Sequence, residues 1–174
     1  MRAFVTVGST KFDALIQKVF SQEVLEALQK QGYTEVIVQC GNSSFEEQRG
    51  AADGEHPVIV QRGGLVVEYW KFKPTLEEEY ERADLVISHA GSGTILDVLR
   101  MGKPLIVVPN PTLLHNHQQE LADVLAEQNY IKSSSVDDLS TTIEEFGGST
   151  LLNRFPRFDG TRFAKILDET MGFA

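Results

Sequence analysis

ADLVISHAGSGTILDVLRMGKPLIVVPNPTLLHNHQQELA, residues Ala83 to Ala122, is the stretch that decides the fold. Asp84 to Ser88 predicts a buried strand, Ala90-Gly91-Ser92-Gly93 a glycine-rich turn, and the residues from Thr94 a helix that Gly102-Lys103-Pro104 stops. A second apolar strand, Leu105 to Val108, runs into a polar loop, Pro109 to Gln118. A strand that feeds a glycine turn into a helix N-terminus builds an anion site, because free N–H groups and the positive end of the helix dipole point the same way. The glycines let a backbone approach its ligand closely. Taken alone, such a turn is equally well no more than a tight βα connection. Asp97 follows Thr94 by one helical turn, so it is placed either to accept hydrogen bonds from ribose hydroxyls or to complete a Thr94-x-x-Asp97 capping box. The residue types leave both readings open.

Outward from this stretch, strands and helices alternate. Ala3 to Val7 is an apolar run closed by Gly8, and Phe12, Leu15, Ile16 and Val19 then follow helical spacing, with Thr10-x-x-Asp13 as a capping signal. A helix over Glu23 to Gln31 ends at Gly32, and Glu35 to Gln39 is the next strand. Residues 41–57 are polar and irregular. Two extended runs around Arg62-Gly63-Gly64 predict a hairpin, and Thr75 to Arg82 a short helix with Thr75-x-x-Glu78 as its cap. Helices are also expected over His117 to Gln128 and Val136 to Phe146. Strands separated by helices imply parallel βαβ units, with helices on both faces of one sheet. In such sheets ligands sit beyond the carboxyl ends of the strands. Gly8-Ser9-Thr10, Gly41-Asn42-Ser43, His89 to Thr94 and the Pro109 to Gln118 loop all fall at that edge.

The composition fits one globular domain. The chain has 174 residues, 41% of them hydrophobic, and a formal charge of −9. That acidity argues against nucleic acid, which requires a basic face. No run reaches the ~18 apolar residues of a membrane span, and MRAFVTVGST reads as a strand and a turn rather than a signal segment. The single cysteine, Cys40, ends an apolar strand and is expected to be a buried thiol in a reducing compartment. His115 and His117 lie close together, but no Cys, Asp or Glu nearby completes a tetrahedral set, so no metal site is expected. The serines lack the nucleophile-elbow pattern, and there is no P-loop.

The motifs together resemble a known family. His89-Ala-Gly-Ser-Gly-Thr-x-x-Asp97, Gly102-Lys103-Pro104 and Asn116-His117-Gln118 are similar to the nucleotide-sugar half of family 28 glycosyltransferases. Phe4-Val-Thr-Val-Gly-Ser-Thr with Phe12-Asp13, and Tyr69-Trp-Lys-Phe-Lys-Pro74, resemble the small donor-binding subunits of the eukaryotic members that make chitobiosyl-diphosphodolichol. The resemblance covers roughly residues 2–146, and departs at Asp97, where the family usually has the longer Glu.

It implies a Rossmann-like α/β fold, the donor-binding half of a GT-B type enzyme. The implied reaction transfers N-acetylglucosamine from UDP-N-acetylglucosamine to N-acetylglucosaminyl-diphosphodolichol with inversion, without metal or other cofactor. The candidate substrate-binding residues are Gly8, Ser9, Thr10, Phe72, His89, Gly91, Ser92, Gly93, Thr94, Asp97, Asn116, His117, Gln118 and Gln119. No residue stands out as the catalytic base; His89 is one candidate, and its alternatives are a structural role or contact with the donor. A membrane-anchored partner is implied as the acceptor half, holding this chain at the cytosolic face of the endoplasmic reticulum. The competing reading is a stand-alone UDP or nucleotide-sugar binding module; an epimerase of the same fold family would need a chain of about twice this length.

Residues 147–174 read as a tail beyond the domain, which spans 1–146. After Gly147-Gly148-Ser149, Leu151, Leu152 and Phe155 are apolar without period, and residues 161–171 are compatible with a helix showing Phe163, Ile166, Leu167 and Met171 on one face. That face is expected to pack either on its own domain or on the partner.

Overall fold

The computed structural model describes residues 1–45, 57–112, 117–146 and 152–156, with His117 by its backbone only. In chain order the elements are β1 (Arg2–Thr6), α1 (Asp13–Val19), α2 (Gln22–Lys30), β2 (Glu35–Gln39), β3 (Val58–Arg62), β4 (Leu65–Trp70), α3 (Glu77–Arg82), β5 (Leu85–His89), α4 (Ser92–Arg100), β6 (Leu105–Val108), α5 (His117–Glu127), β7 (Lys132–Ser133) and α6 (Leu139–Phe146). They build a seven-stranded sheet in the order β3-β4-β2-β1-β5-β6-β7. Every neighbouring pair is parallel except β3 and β4. These two form the expected hairpin: Gly63 and Gly64 both have positive φ, which two-residue hairpin turns of the primed type require.

The central strands are buried on both faces, so their residues divide by parity. Ala3, Val5, Val36, Val38, Leu85 and Ile87 pack with Leu15, Ile16, Val24, Leu28, Leu139 and Ile143, the apolar sides of α1, α2 and α6. Phe4, Ile37, Val86, Leu105 and Val107 pack with Tyr80, Ile95, Val98, Leu99 and Ala122 of α3, α4 and α5. The register sets Phe4 beside Ile37 on one side and Val86 on the other. Cys40 is buried as expected, and burial pushes its thiol pKa up to about 12, so it is an inert core group.

Several helix starts differ from the expected ones. β5 runs one residue later, because His89 still pairs with Val108. α4 opens at Ser92 rather than near Thr94: Gly91 is its N-cap, and its carbonyl accepts from Ile95 N–H at 3.0 Å. Thr94-x-x-Asp97 is therefore no capping box, and Asp97 lies in the second turn. Thr10-x-x-Asp13 caps nothing either; Thr10 Oγ1 donates to the Val7 carbonyl and Asp13 Oδ1 accepts from Ser44 N–H. α3 starts at Glu77, after Thr75 Oγ1 has accepted the Glu77 N–H in a local turn. α6 starts three residues late, since Ser135 and Asp138 hold a turn by reciprocal hydrogen bonds. The short strand β7 was not foreseen.

The tail segment 152–156 lies against the domain. Phe155 meets Tyr130 edge-on with ring centroids 5.2 Å apart, and Asn153 bonds to the carbonyls of Asn129 and Gln128. The expected apolar helix over 161–171 falls outside the described residues.

Candidate functional site

From β1 the chain builds outward to β2 and β4, then returns to the other side of β1 to lay down β5, β6 and β7. This reversal opens a crevice between the carboxyl ends of β1 and β5, where open α/β sheets bind ligands. Its walls are the Gly8-Ser9-Thr10 loop and the His89-Ala90-Gly91 turn. His89, only 6% exposed, stands between them. A methyl group on Gly8 would come within 3.0 Å of the His89 ring, and one on Gly91 would run into Nε2. Both glycines are thus clearances for the imidazole. Burial holds the His89 pKa below the usual histidine value, with the Thr6 backbone opposing, so the ring is neutral at pH 7. Its Nδ1 is buried without a hydrogen-bond partner among the described residues.

The N-terminus of α4 faces this crevice with no side-chain cap. Ser92, Gly93 and Thr94 carry the first-turn N–H groups that a helix leaves unsatisfied. Ser92 and Gly93 are exposed, and among the described residues nothing beyond Gly93's own neighbours and helix backbone lies within 4 Å of where its side chain would begin. The helix that carries these N–H groups opens two residues earlier than expected.

Asp97 sits further along α4 and is exposed. It lines a cleft of about 360 Å³ with Thr75, Leu76, Glu77, Tyr80 and Met101. Burial raises the Tyr80 phenol pKa; a side-chain hydrogen bond with Thr94 opposes this and the Asp97 charge adds to it. Tyr80 therefore links Thr94, in the first turn of α4, to Asp97, in the cleft. Phe72 ends up 48% exposed in the adjoining loop. The residues on either side are fixed: Trp70 stacks on Phe4, and Lys73 Nζ lies 4.5 Å from the centre of the Trp70 ring and 2.5 Å from Glu79 Oε1.

The loop after β6 approaches from the other side. Gln118 Oε1 accepts from Asn110 N–H at 3.0 Å, which leaves its amide nitrogen as the end that can meet a ligand. Asn110 is buried, bonding to Thr112 and to the Lys11 carbonyl, and so ties this loop to the one after β1. Gln119 is turned away. It donates to Asp123 along α5 and lines a separate cleft with Pro109, Pro111 and Ser133 to Asp137. Asn116 and the His117 side chain fall outside the described residues. Among those residues no cluster of His, Cys, Asp and Glu could hold a metal ion.

Sequence reasoning missed Gln39, Asn110, Tyr80 and Glu79, all buried and polar or amphipathic. Their only signal was position: Gln39 closes the apolar run Val36-Ile37-Val38, and Asn110 interrupts two prolines after Leu105 to Val108.

The glycosyltransferase family 28 C-terminal domain matches residues 2–153. The chain belongs to that family. A Cryptococcus neoformans relative named UDP-N-acetylglucosamine transferase subunit ALG13 is 34% identical over 191 residues, covering 97% of this chain and 96% of the relative. The mouse protein of the same name is 37% identical over 130 residues, which is 75% of this chain and 10% of the mouse protein. The solution structure of an ALG13 superposes with a TM-score of 0.67 at 30% identity, covering 97% of this chain and 95% of the other. The MurG crystal structure from Acinetobacter baumannii shares the fold, with a TM-score of 0.59 at 22% identity; the match covers 83% of this chain and 39% of that one. This family 28 domain thus has the architecture of one half of a GT-B type glycosyltransferase.

Proposed function

We propose that this family 28 domain is the donor-binding subunit of an N-acetylglucosaminyltransferase. It takes UDP-N-acetylglucosamine as donor and passes the sugar, with inversion, to N-acetylglucosaminyl-diphosphodolichol held by a membrane-anchored partner at the cytosolic face of the endoplasmic reticulum. The observation that carries the reading is the uncapped α4 N-terminus, opening into the crevice between β1 and β5 beside His89 and Gly8. The names of the relatives supply the donor.

In this reading the N–H groups of Ser92, Gly93 and Thr94 receive the diphosphate, and stabilise the negative charge that grows on it as the glycosidic bond breaks. Such donors need no reorganisation during the reaction, because the helix fixes them. Asp97 accepts hydrogen bonds from the ribose hydroxyls in the Tyr80 cleft, and exposed Phe72 offers a face for the base. Asn116, His117 and the amide nitrogen of Gln118 meet the sugar or its phosphates. Neutral His89 provides a hydrogen bond at the crevice rather than a fixed charge. The general base that an inverting transfer requires comes from the acceptor half.

The test is calorimetric titration with UDP, followed by transfer from UDP-N-acetylglucosamine to a lipid-diphosphate acceptor with and without the membrane partner. Micromolar UDP binding by the chain alone, with turnover only when the partner is added, is the expected result. Binding without turnover in the complete system would make the domain a nucleotide-sugar binding module, and no binding would refute the donor site.

A further inference from the structure

Gln39 is 2% exposed, yet its side-chain amide bonds to the last residue of β1 and to two loops of the carboxyl edge. Its Oε1 accepts from Thr6 Oγ1 at 2.6 Å. Its Nε2 donates to the Gly8 carbonyl at 2.8 Å and to the Lys71 carbonyl at 2.7 Å. The same Thr6 hydroxyl accepts the Gly8 N–H at 3.1 Å, so both backbone polar groups of Gly8 are fixed by one side-chain pair. The amide has a single workable orientation: turned over, Oε1 would face two carbonyl oxygens. Gly8 also carries the positive φ that only glycine adopts freely, and it leaves the clearance for His89.

The direction of these bonds matters. In a trans peptide the C=O and the following N–H point opposite ways. With the Gly8 carbonyl drawn in to Gln39 from the β1 side, the following Ser9 N–H is turned away from β2, toward β5 and the crevice. The Lys71 carbonyl, which also accepts the Gly41 N–H at 3.1 Å, anchors the amide from the β4 side. The Ser9 N–H donates to no other described residue.

We infer that Gln39 is a positioning residue for donor binding: through Gly8 it presents the Ser9 N–H to an acceptor oxygen of the bound nucleotide. This rests on the donor-site reading above. Gln39 touches no ligand itself, since its side chain lies beneath the two loops.

The test uses the full chain and two variants, Gln39→Met, which keeps length and loses every hydrogen bond, and Thr6→Val, which keeps shape and frees the amide. UDP affinity is measured by calorimetry at a temperature where each variant is folded, beside thermal melts and backbone amide spectra. Gln39→Met is expected to weaken UDP binding about tenfold, the scale of a catalytic or binding group displaced by a fraction of an ångström. Amide shifts should be confined to residues 7–10 and 70–73. Thr6→Val should weaken binding about threefold and lower the melt modestly, as it removes both the bond to Gln39 Oε1 and the acceptor of the Gly8 N–H. If Gln39→Met does not fold, Thr6→Val decides. Affinity within twofold of wild type in a folded variant, or a loss that disappears once the folded fraction is allowed for, overturns the inference while leaving the donor site intact. A wild-type chain that does not bind UDP overturns both.

Discussion

The two ends of the sheet are held by different chemistry. At the amino end the fastenings are charged. Arg2 bonds to Glu79 at 2.6 Å through its guanidinium and to Asp84 through its backbone N–H, while Lys103 caps the carbonyls of Glu81 and Ala83. At the carboxyl end the buried polar groups, Thr6, Gln39, Ser43 and Asn110, are all neutral, and His89 is kept neutral by burial. Glu79 is the one buried carboxylate among the described residues. Ion pairs suit an end where nothing has to enter. In the crevice proposed for a diphosphate, a fixed carboxylate would repel the ligand and a fixed cation would retain the product, whereas neutral amides set loop positions and leave the field to the α4 N–H groups. Changes at the amino end should therefore move stability, and changes at the carboxyl end should move affinity.

The largest expected effect is at the amino end. Glu79→Ala strands the Arg2 guanidinium, whose side chain is 11% exposed, and also releases Lys73. Breaking a buried pair on one side costs about 3–5 kcal/mol. Denaturant unfolding should show that loss as the main effect, with only a smaller fall in UDP affinity, through the Phe72 loop that Lys73 no longer anchors. A large drop in affinity at unchanged stability would break the division between the two ends.

Asp97→Asn is the converse. Because Gly91 caps α4, Asp97 has no capping duty, and the melting temperature should stay within about a degree or two of wild type. Removing a charge-assisted hydrogen bond to ribose should cost about 1.5–3 kcal/mol of UDP binding, read by calorimetry. A lower melting temperature at constant affinity would return the residue to a structural role.

The tail tests the amino end again. Residues 152–156 pack beside Gly102-Lys103-Pro104 and Tyr130, at the end of the sheet away from the crevice. Truncation after Phe146 removes the Phe155 contact and the Asn153 bonds, and should lower stability by about 1 kcal/mol, less than the ~1.5–3 kcal/mol of a fully buried aromatic side chain because Phe155 is half-buried. Truncation after Pro156 then tests the apolar face expected over residues 161–171: lost stability places it on its own domain. If the full chain associates with the membrane partner and the chain cut after Pro156 does not, residues 157–174 are the docking element.

The sheet was legible because strands buried on both faces leave long apolar runs, and because Gly63-Gly64 can close only a narrow set of turns. The crevice was legible from glycines at strand ends. What misled was local pattern. Thr10-x-x-Asp13 and Thr94-x-x-Asp97 have the form of caps, but Thr10 and Asp13 bond to Val7 and Ser44 instead, and α4 is already capped at Gly91 before Thr94 is reached. β7 is two residues long and pairs only with β6, so its existence is a tertiary event. Gln39 and Asn110 gave no periodic signal, since their meaning lies in partners 31 and 99 residues away, the Gly8 and Lys11 carbonyls.

The finest test of the comparison is one methyl group at the carboxyl end. Gly93 lies in the first turn of α4 with ordinary helical backbone and open space where a side chain would begin. Gly93→Ala collides with none of the described residues. It removes backbone freedom from the unfolded chain, and should raise stability by up to about 1 kcal/mol. The same methyl projects into the path by which a phosphate reaches the N–H groups, so UDP affinity should fall severalfold. Stability and affinity then move in opposite directions from one substitution. Gly91→Ala offers no such separation, because its methyl runs into His89 Nε2 and must damage both. If Gly93→Ala raises the melting temperature and leaves UDP binding untouched, the open space beside Gly93 is plain solvent, and the phosphate enters the crevice from the Gly8 side.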